Sequence, residues 1–397
     1  MISVLSHQQL LSGSKILKSI KIFILLSLLG SNLFAADKKQ YTTDTIQVAV
    51  IMPFCSKELL NNPNSEKAIL GNVCREYYQG LEIGLDSIRN LGIPVNVCIY
   101  DTKNDSNTFK QILKKNQVLN ADIIFGPVVS EAQKMMANYS SQAKIFHVSP
   151  LLTMTKSKVE DPYLISVNPD LDNYADIFLE QLKINGEEKA NIIILYGKGK
   201  NEKVISNRML ALKSKFPQYN IKSMELARYN EFKNHFSLGK SHHVIIDSDN
   251  EYLVNGALRM LSDSNQFTDI YVYGNKKWLN FKNINAQIWN RLNTKIITPN
   301  FMDSESSIGK QFIQQYFERY ACEPNEFAVS GYDQVVYFLI HLAENNGEII
   351  PDNFNNRQKL IGGTFQIRKK PNGKGYQNSK LNMIGFDSEY RIINVGY

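Results

Sequence analysis

Between residues 46 and 150 a short apolar run is followed, four times over, by a turn signal and, after each of the first three, by a longer amphipathic stretch. The runs cover 46–52, 95–100, 123–125 and 145–148, and they close on Pro53, Asp101, Gly126-Pro127 and Ser149-Pro150. Apolar runs without polar alternation suit strands buried on both faces of a parallel sheet. The stretches between them carry helical spacing. Tyr77, Leu81, Gly84, Leu85 and Ile88 mark one face, 107–119 forms a second helix, and Met135, Met136 and Tyr139 belong to a third. Repeated strand–turn–helix units of this kind predict a doubly wound α/β sheet.

The pattern then restarts. Helices are expected over 173–182, 202–215, 251–261, 308–320 and 326–345, with strands over 191–196, 221–227, 243–246, 270–273 and 295–298. After residue 363 the chain alternates as antiparallel strands do, over 363–368, 381–386 and 391–395, with turns at 371–373 and 387–388. The expectation is two α/β units in series and a C-terminal β tail. A chain of this length exceeds one comfortable core, which also favours two lobes.

The N-terminal segment has the order of a secretory signal. Lys15, Lys18 and Lys21 precede the apolar run 22–29, Ala35-Ala36 offers a cleavage site, and Asp37-Lys38-Lys39-Gln40 is abruptly polar. A cleaved signal over 1–36 and a soluble periplasmic product follow as expectations. Gly30, Ser31 and Asn32 interrupt the run too early for a membrane span, and no other run reaches membrane length. Without the three signal lysines, 42 basic residues face 38 acidic ones. That balance, with no dense basic stripe, points away from nucleic acid. Four cysteines in an exported chain allow three full pairings. Cys55 and Cys74 bracket one polar loop, expected to be exposed over 56–73, and form the natural pair, worth about 3 kcal/mol in the chain-entropy model; four free thiols are the alternative. Cys98 reads as a buried thiol within a strand, and Cys322 follows a helix end.

Candidate ligand groups gather after the strands, where open α/β sheets bind. Gly126 makes the turn after the third strand. Ser130 fits either a plain N-cap or a hydroxyl donor beside the free N–H groups of its helix. Ser149 and Thr153 serve a ligand or a turn. Phe54, Tyr196 and Tyr273 end strands at the same edge and can stack on a ligand or pack on the sheet. Asp247 can pair with a ligand amine or cap the following helix. His235, His242 and His243 match no zinc spacing and read as surface residues. Gly239-Lys240-Ser241 lacks the upstream glycine of a phosphate loop, because Asn234 stands there. With no nucleophile or metalloprotease motif, binding is expected rather than catalysis, with no cofactor and no metal.

Several stretches resemble the type I periplasmic binding proteins, in the leucine/isoleucine/valine-binding and receptor ligand-binding-region branch. They are Ile46-Gln-Val-Ala-Val-Ile-Met-Pro-Phe, Tyr78-Gln-Gly-Leu-Glu-Ile-Gly-Leu-Asp-Ser-Ile, Ile124-Phe-Gly-Pro-Val-Val-Ser, Ile145-Phe-His-Val-Ser-Pro and Gly331-Tyr-Asp, in that order. The resemblance implies two Rossmann-like lobes joined by a three-stranded hinge: lobe one over 41–168 and 300–348, lobe two over 169–299 and 349–397. It implies a protein that traps a small polar, amino-acid-like ligand, with an ABC transporter permease as partner. The sequence departs from that branch in two places. The loop Ser149-Pro-Leu-Leu-Thr153 is shorter and more apolar, and a Lys-rich turn follows Tyr196. The tail 373–378 resembles a group of envelope proteins in which this fold accompanies peptidoglycan-binding modules. A second expectation is therefore an envelope interaction protein, peptidoglycan-associated or regulating envelope synthesis, without a working cleft.

Overall fold

The computed structural model describes residues 44–153, 160–168 and 174–395. The last range has short gaps at 176–177, 180–181, 184–185, 188–189, 199–202, 237–240, 265–268, 284, 299–300, 355–359, 364, 371–373, 381 and 390. The signal-type segment 1–36 lies outside the described residues.

β1 (Ile46–Met52) is buried along nearly its whole length, because apolar side chains alternate onto both of its faces. It pairs in parallel with β2 (Val95–Asp101) on one side and β3 (Ile123–Phe125) on the other. β4 (Phe146–Thr153) and β5 (Leu164–Asn168) continue the sheet in parallel. The second sheet repeats this plan. β6 (Asn191–Tyr196) lies between β7 (Asn220–Glu225) and β8 (His242–Asp247), and β9 (Ile270–Asn275) and β10 (Lys295–Thr298) follow. Both sheets thus read 2-1-3-4-5 in their parallel strands. The order reverses at β1/β3 in one and at β6/β8 in the other, and such a switch point opens a crevice beyond the carboxyl ends of the strands.

The tail divides between the sheets. β11 (Ile367–Lys369) and β12 (Tyr376–Asn378) form a hairpin that joins the first sheet through parallel pairing of β12 with β5. β13 (Asn382–Phe386) and β14 (Ile392–Asn394) join the second through antiparallel pairing of β13 with β10. Placing all of 349–397 with lobe two is therefore incorrect for its first half. Each hairpin covers what would otherwise be an open sheet edge. The chain passes between the sheets three times, between β5 and β6, after β10, and between β12 and β13.

Among the described residues the helices include α1 (Ser56–Asn61), α2 (Glu66–Asn90), α3 (Ser106–Ile112), α4 (Asn116–Leu119), α5 (Ser130–Ala143), α6 (Val204–Ala211), α7 (Glu251–Ser264), α8 (Ala286–Arg291), α9 (Ser307–Tyr320) and α10 (Glu326–Glu344). The stretch after Cys55, expected as one exposed loop, is α1 and the start of α2. The expected helix over 107–119 is broken into α3 and α4. α10 is buried at every residue from Ala328 to Ala343 and packs along α2, which makes this helix pair the spine of lobe one. Among the described residues no helix is long and apolar enough to cross a membrane.

Candidate functional site

At the first switch point the chain leaves β1 through Pro53 and Phe54. Phe54 is half-buried and meets Tyr78 edge-on, with ring centroids 5.9 Å apart. β3 ends at Gly126, whose φ is +117°. A Cβ there would overlap the Ile51 carbonyl oxygen and lie 3.1 Å from its carbon, so only glycine lets the two strand ends come this close. The Gly126-Pro127 peptide is cis. Both carbonyls of the turn face inward. That of Gly126 lies 3.3 Å from His147 Nδ1, and that of Pro127 accepts from Gln133 Nε2 at 3.0 Å. Gln133 Nε2 also reaches Ser149 Oγ at 3.2 Å.

α5 starts one residue earlier than an N-cap at Ser130 requires. The capping position belongs to Val129, which has no side-chain bond, and Ser130 is the first helical residue. The N-cap reading of Ser130 is thus incorrect. Its hydroxyl is half-buried and makes no hydrogen bond to the described residues. Ser149, by contrast, is 2 % exposed and engaged by Gln133. The backbone of Thr153 closes β4 opposite Asn168, after a register shift that begins at Ser149; its side chain is outside the described residues.

The second switch point is built alike. Tyr196 ends β6, half-buried, with Lys203 Nζ 4.7 Å from its ring centroid. The Gly197 N–H donates to the Asp247 carbonyl at 3.2 Å and ties the ends of β6 and β8 together. Asp247 is half-buried and does not cap α7, because Asn250 Oδ1 accepts the Leu253 N–H at 3.1 Å. Tyr273 is not at the edge: β9 runs on to Asn275, and Tyr273 is 3 % exposed, with its hydroxyl 2.9 Å from His243 Nδ1 and its ring edge-on to Phe178.

His242 and His243 are buried in β8, not on the surface, because β8 is an interior parallel strand covered on both faces. His243 lies between the rings of Tyr271 and Tyr273, and burial pushes its pKa down to about 4 against the pull of Glu187 at 3.7 Å.

The structure therefore brings Phe54 and Ser130 to one switch point, with Gly126 between them, and Tyr196 and Asp247 to the other. Ser149 and Tyr273 are drawn into the interior. Sequence reasoning missed the residues behind the first loop. His147 Nε2 lies 2.7 Å from Asp161 Oδ2, and that carboxylate also accepts from Ser140 and from the Tyr163 N–H. Burial opposes charge on Asp161, but His147, Tyr163 and Ser140 together hold its carboxyl below the usual range. The one available signal was a histidine inside an otherwise apolar strand. A further contact joins the lobes: Lys276, in the short 3-10 turn after β9, forms an ion pair with Glu326, the first residue of α10.

All four thiols are free. Cys55 and Cys74 are both buried, and a Cβ at Gly71 would lie 3.2 Å from that of Cys55. Cys55 thus rests on the face of α2 that carries Cys74 one turn further on. Burial pushes the Cys55 thiol up to about 11 and that of Cys74 higher still.

No protein-family model matches the chain, and no curated protein matches it. Solved structures do. One from Rhodospirillum rubrum, described as a branched-chain amino acid ABC transporter, superimposes with a TM-score of 0.59 at 12% identity, covering 88% of this chain and 100% of that one. The C-domain of LpoA from Haemophilus influenzae, described as a regulator of PBP1A, gives 0.55 at 12% identity over 88% and 99%. Full-length LpoA from the same organism gives 0.56 at 13% identity, covering 92% of this chain and 62% of that one. At such identities the likeness is one of fold, and the fold is that of the type I periplasmic binding proteins: two lobes, each with a mostly parallel sheet.

Proposed function

We propose that the chain is an exported binding protein that holds a small polar ligand between its lobes without altering it chemically. One observation carries this reading. The same strand order occurs in both sheets, and each reversal point presents half-buried side chains, Phe54 and Ser130 on one and Tyr196 and Asp247 on the other. With the turn carbonyls bonded inward, the start of α5 offers N–H groups and the Ser130 hydroxyl, a setting for a carboxylate or carbonyl oxygen. Asp247 and the aromatic rings would meet a cationic or apolar part. An amino-acid-like molecule fits this division, in keeping with the Rhodospirillum rubrum structure described as a branched-chain amino acid ABC transporter; the partner would be a transporter permease. The signal-type segment favours the periplasm.

Native mass spectrometry of protein taken from its own periplasm should show an added small mass. Ser130→Ala should weaken binding of the co-purified molecule by about 0.5–1.5 kcal/mol for a neutral oxygen and about 1.5–3 kcal/mol for a carboxylate. Because Ser130 does not cap α5, the melting temperature should stay unchanged; a lower one with unaltered affinity would remove Ser130 from the site.

A second reading is favoured by the engagement of Ser149 with Gln133 and the burial of Tyr273, which take two polar groups from the cleft. The chain would then act on an envelope protein, in the manner that the description of LpoA suggests. Under that reading no small mass accompanies the protein.

In an oxidising compartment the Cys55 and Cys74 thiols should join, because Cys55, just before α1, rests on the face of α2 that carries Cys74. Peptide mapping without reduction should recover the linked pair, and reduction should lower stability by about 3 kcal/mol. A linkage through Cys98 would refute the pairing.

A further inference from the structure

We infer that His147 is a positioning residue for the binding loop: Asp161 orients its ring so that Nδ1–H grips the Gly126 carbonyl and turns the following amides toward the crevice. The ring is fully buried, and each nitrogen faces an oxygen, Gly126 O at 3.3 Å and Asp161 Oδ2 at 2.7 Å. The Gly126 carbonyl and the Asp161 carboxylate both accept, so the grip requires a proton on Nδ1 as well as on Nε2. Asp161 already accepts the Tyr163 N–H at 2.8 Å and faces the Ser140 hydroxyl at 2.9 Å, which fixes the carboxylate against rotation. Asp161 is the one charged group within hydrogen-bonding reach of the ring among the described residues.

The geometry explains why the loop points as it does. Gly126 donates its N–H to Val148 at 2.8 Å, and its carbonyl is held by His147; Pro127 has no N–H, and its carbonyl is held by Gln133. Every hydrogen-bonding group of Gly126 and Pro127 is thus bound to the protein. The amides at the start of α5 are aimed by partners lying behind the loop, so a ligand has no loop to order on arrival.

The purpose assigned to the loop rests on the proposed ligand cleft, but the test needs no ligand. His147→Asn keeps a donor near the position of Nδ1, and His147→Gln keeps one near Nε2. Amide hydrogen exchange at residues 128–130, taken relative to β1 amides of the same lobe, should rise about tenfold in His147→Gln and stay within about twofold of the parent in His147→Asn. A purely space-filling role would change the two alike, and that result would overturn the inference. Nitrogen-resolved NMR of the unaltered protein decides the point even where a variant fails to fold. A protonated Nδ1 at neutral pH supports the grip, and an unprotonated one refutes it. Loss of the mass-spectrometric ligand with the exchange pattern intact would remove the cleft reading and leave the grip standing.

Discussion

Gly331→Ala should cost lobe one about 3 kcal/mol or more, read as a lower urea midpoint. A Cβ at Gly331 would overlap the Tyr77 carbonyl oxygen and lie 2.8 Å from the Leu81 nitrogen, both backbone atoms of α2. The reciprocal contact has the same form. A Cβ at Gly80 would overlap the Ala328 carbonyl oxygen and lie 2.7 Å from its Cα. The two helices therefore touch backbone to backbone, and neither can give without shifting a turn of the other. The gain from helix propensity on replacing glycine with alanine, about 1 kcal/mol, does not offset this. Gly84→Ala provides the internal control. Its only overlap is with a Val335 methyl group, which can move more easily than a main chain, and the nearest backbone atom, the Tyr332 carbonyl oxygen, lies at 3.1 Å, so a milder loss is expected. Equal effects at all three positions, or a change at Gly331 under about 0.5 kcal/mol, would show that α2 and α10 do not cross so closely.

The parts of this architecture that sequence revealed are those whose cause is local. β1, β3, β6 and β8 appear as apolar runs because interior parallel strands bury both faces. Gly126-Pro127 is legible as punctuation for the same reason: the backbone there demands it. What sequence concealed depends on pairing between distant residues. Tyr-Gln-Asn at β12 has no strand signature of its own and becomes a strand by lying beside β5. Nothing in the tail's alternation says which hairpin serves which sheet. The N-cap alternative for Ser130 fails by a single residue of helix phase, because the capping position falls to Val129. His243 and Tyr273 looked like surface and edge residues, but they satisfy one another inside the second sheet. His147 and Asp161 are fourteen positions apart, with no spacing that marks them as partners.

Asp333 should give the protein a pH dependence opposite in sign to that of His243 and His341. The residue lies in α10, and its two carboxylate oxygens accept the Ile361 N–H at 2.8 Å and the Gly362 N–H at 2.6 Å. It thereby fastens the start of the tail to lobe one, next to the segment where Asp303 N–H meets the Ile361 carbonyl at 3.0 Å. Burial pushes its carboxyl up to about 7, with the two backbone bonds pulling the other way. An acid in the unfolded chain titrates near about 3.9. Between those two values the folded state binds the extra proton. The stability contributed by Asp333 is thus complete below about pH 4 and is lost as pH rises to about 7, on the order of 4 kcal/mol in all. His243 and His341 act in the opposite direction. Burial lowers both to about 4, so their contribution is complete above the ordinary histidine range and is lost as pH falls through the folded values. His341 accepts the Ile350 N–H at Nε2, 3.1 Å away, which requires that nitrogen unprotonated. The opposing slopes mask each other in the parent protein, so the difference from Asp333→Asn is the quantity to measure. The variant places an amide donor against one of the two N–H groups and should lose about 1–3 kcal/mol at acid pH. Having no charge to bury, it lacks the Asp333 slope, so its deficit should shrink, and can reverse, as pH rises toward 8. Urea melts of both proteins from pH 4.5 to 8 should show that narrowing. A deficit constant across the range would mean that the carboxylate is equally ionised in folded and unfolded chains, and that the two N–H bonds outweigh the cost of its burial.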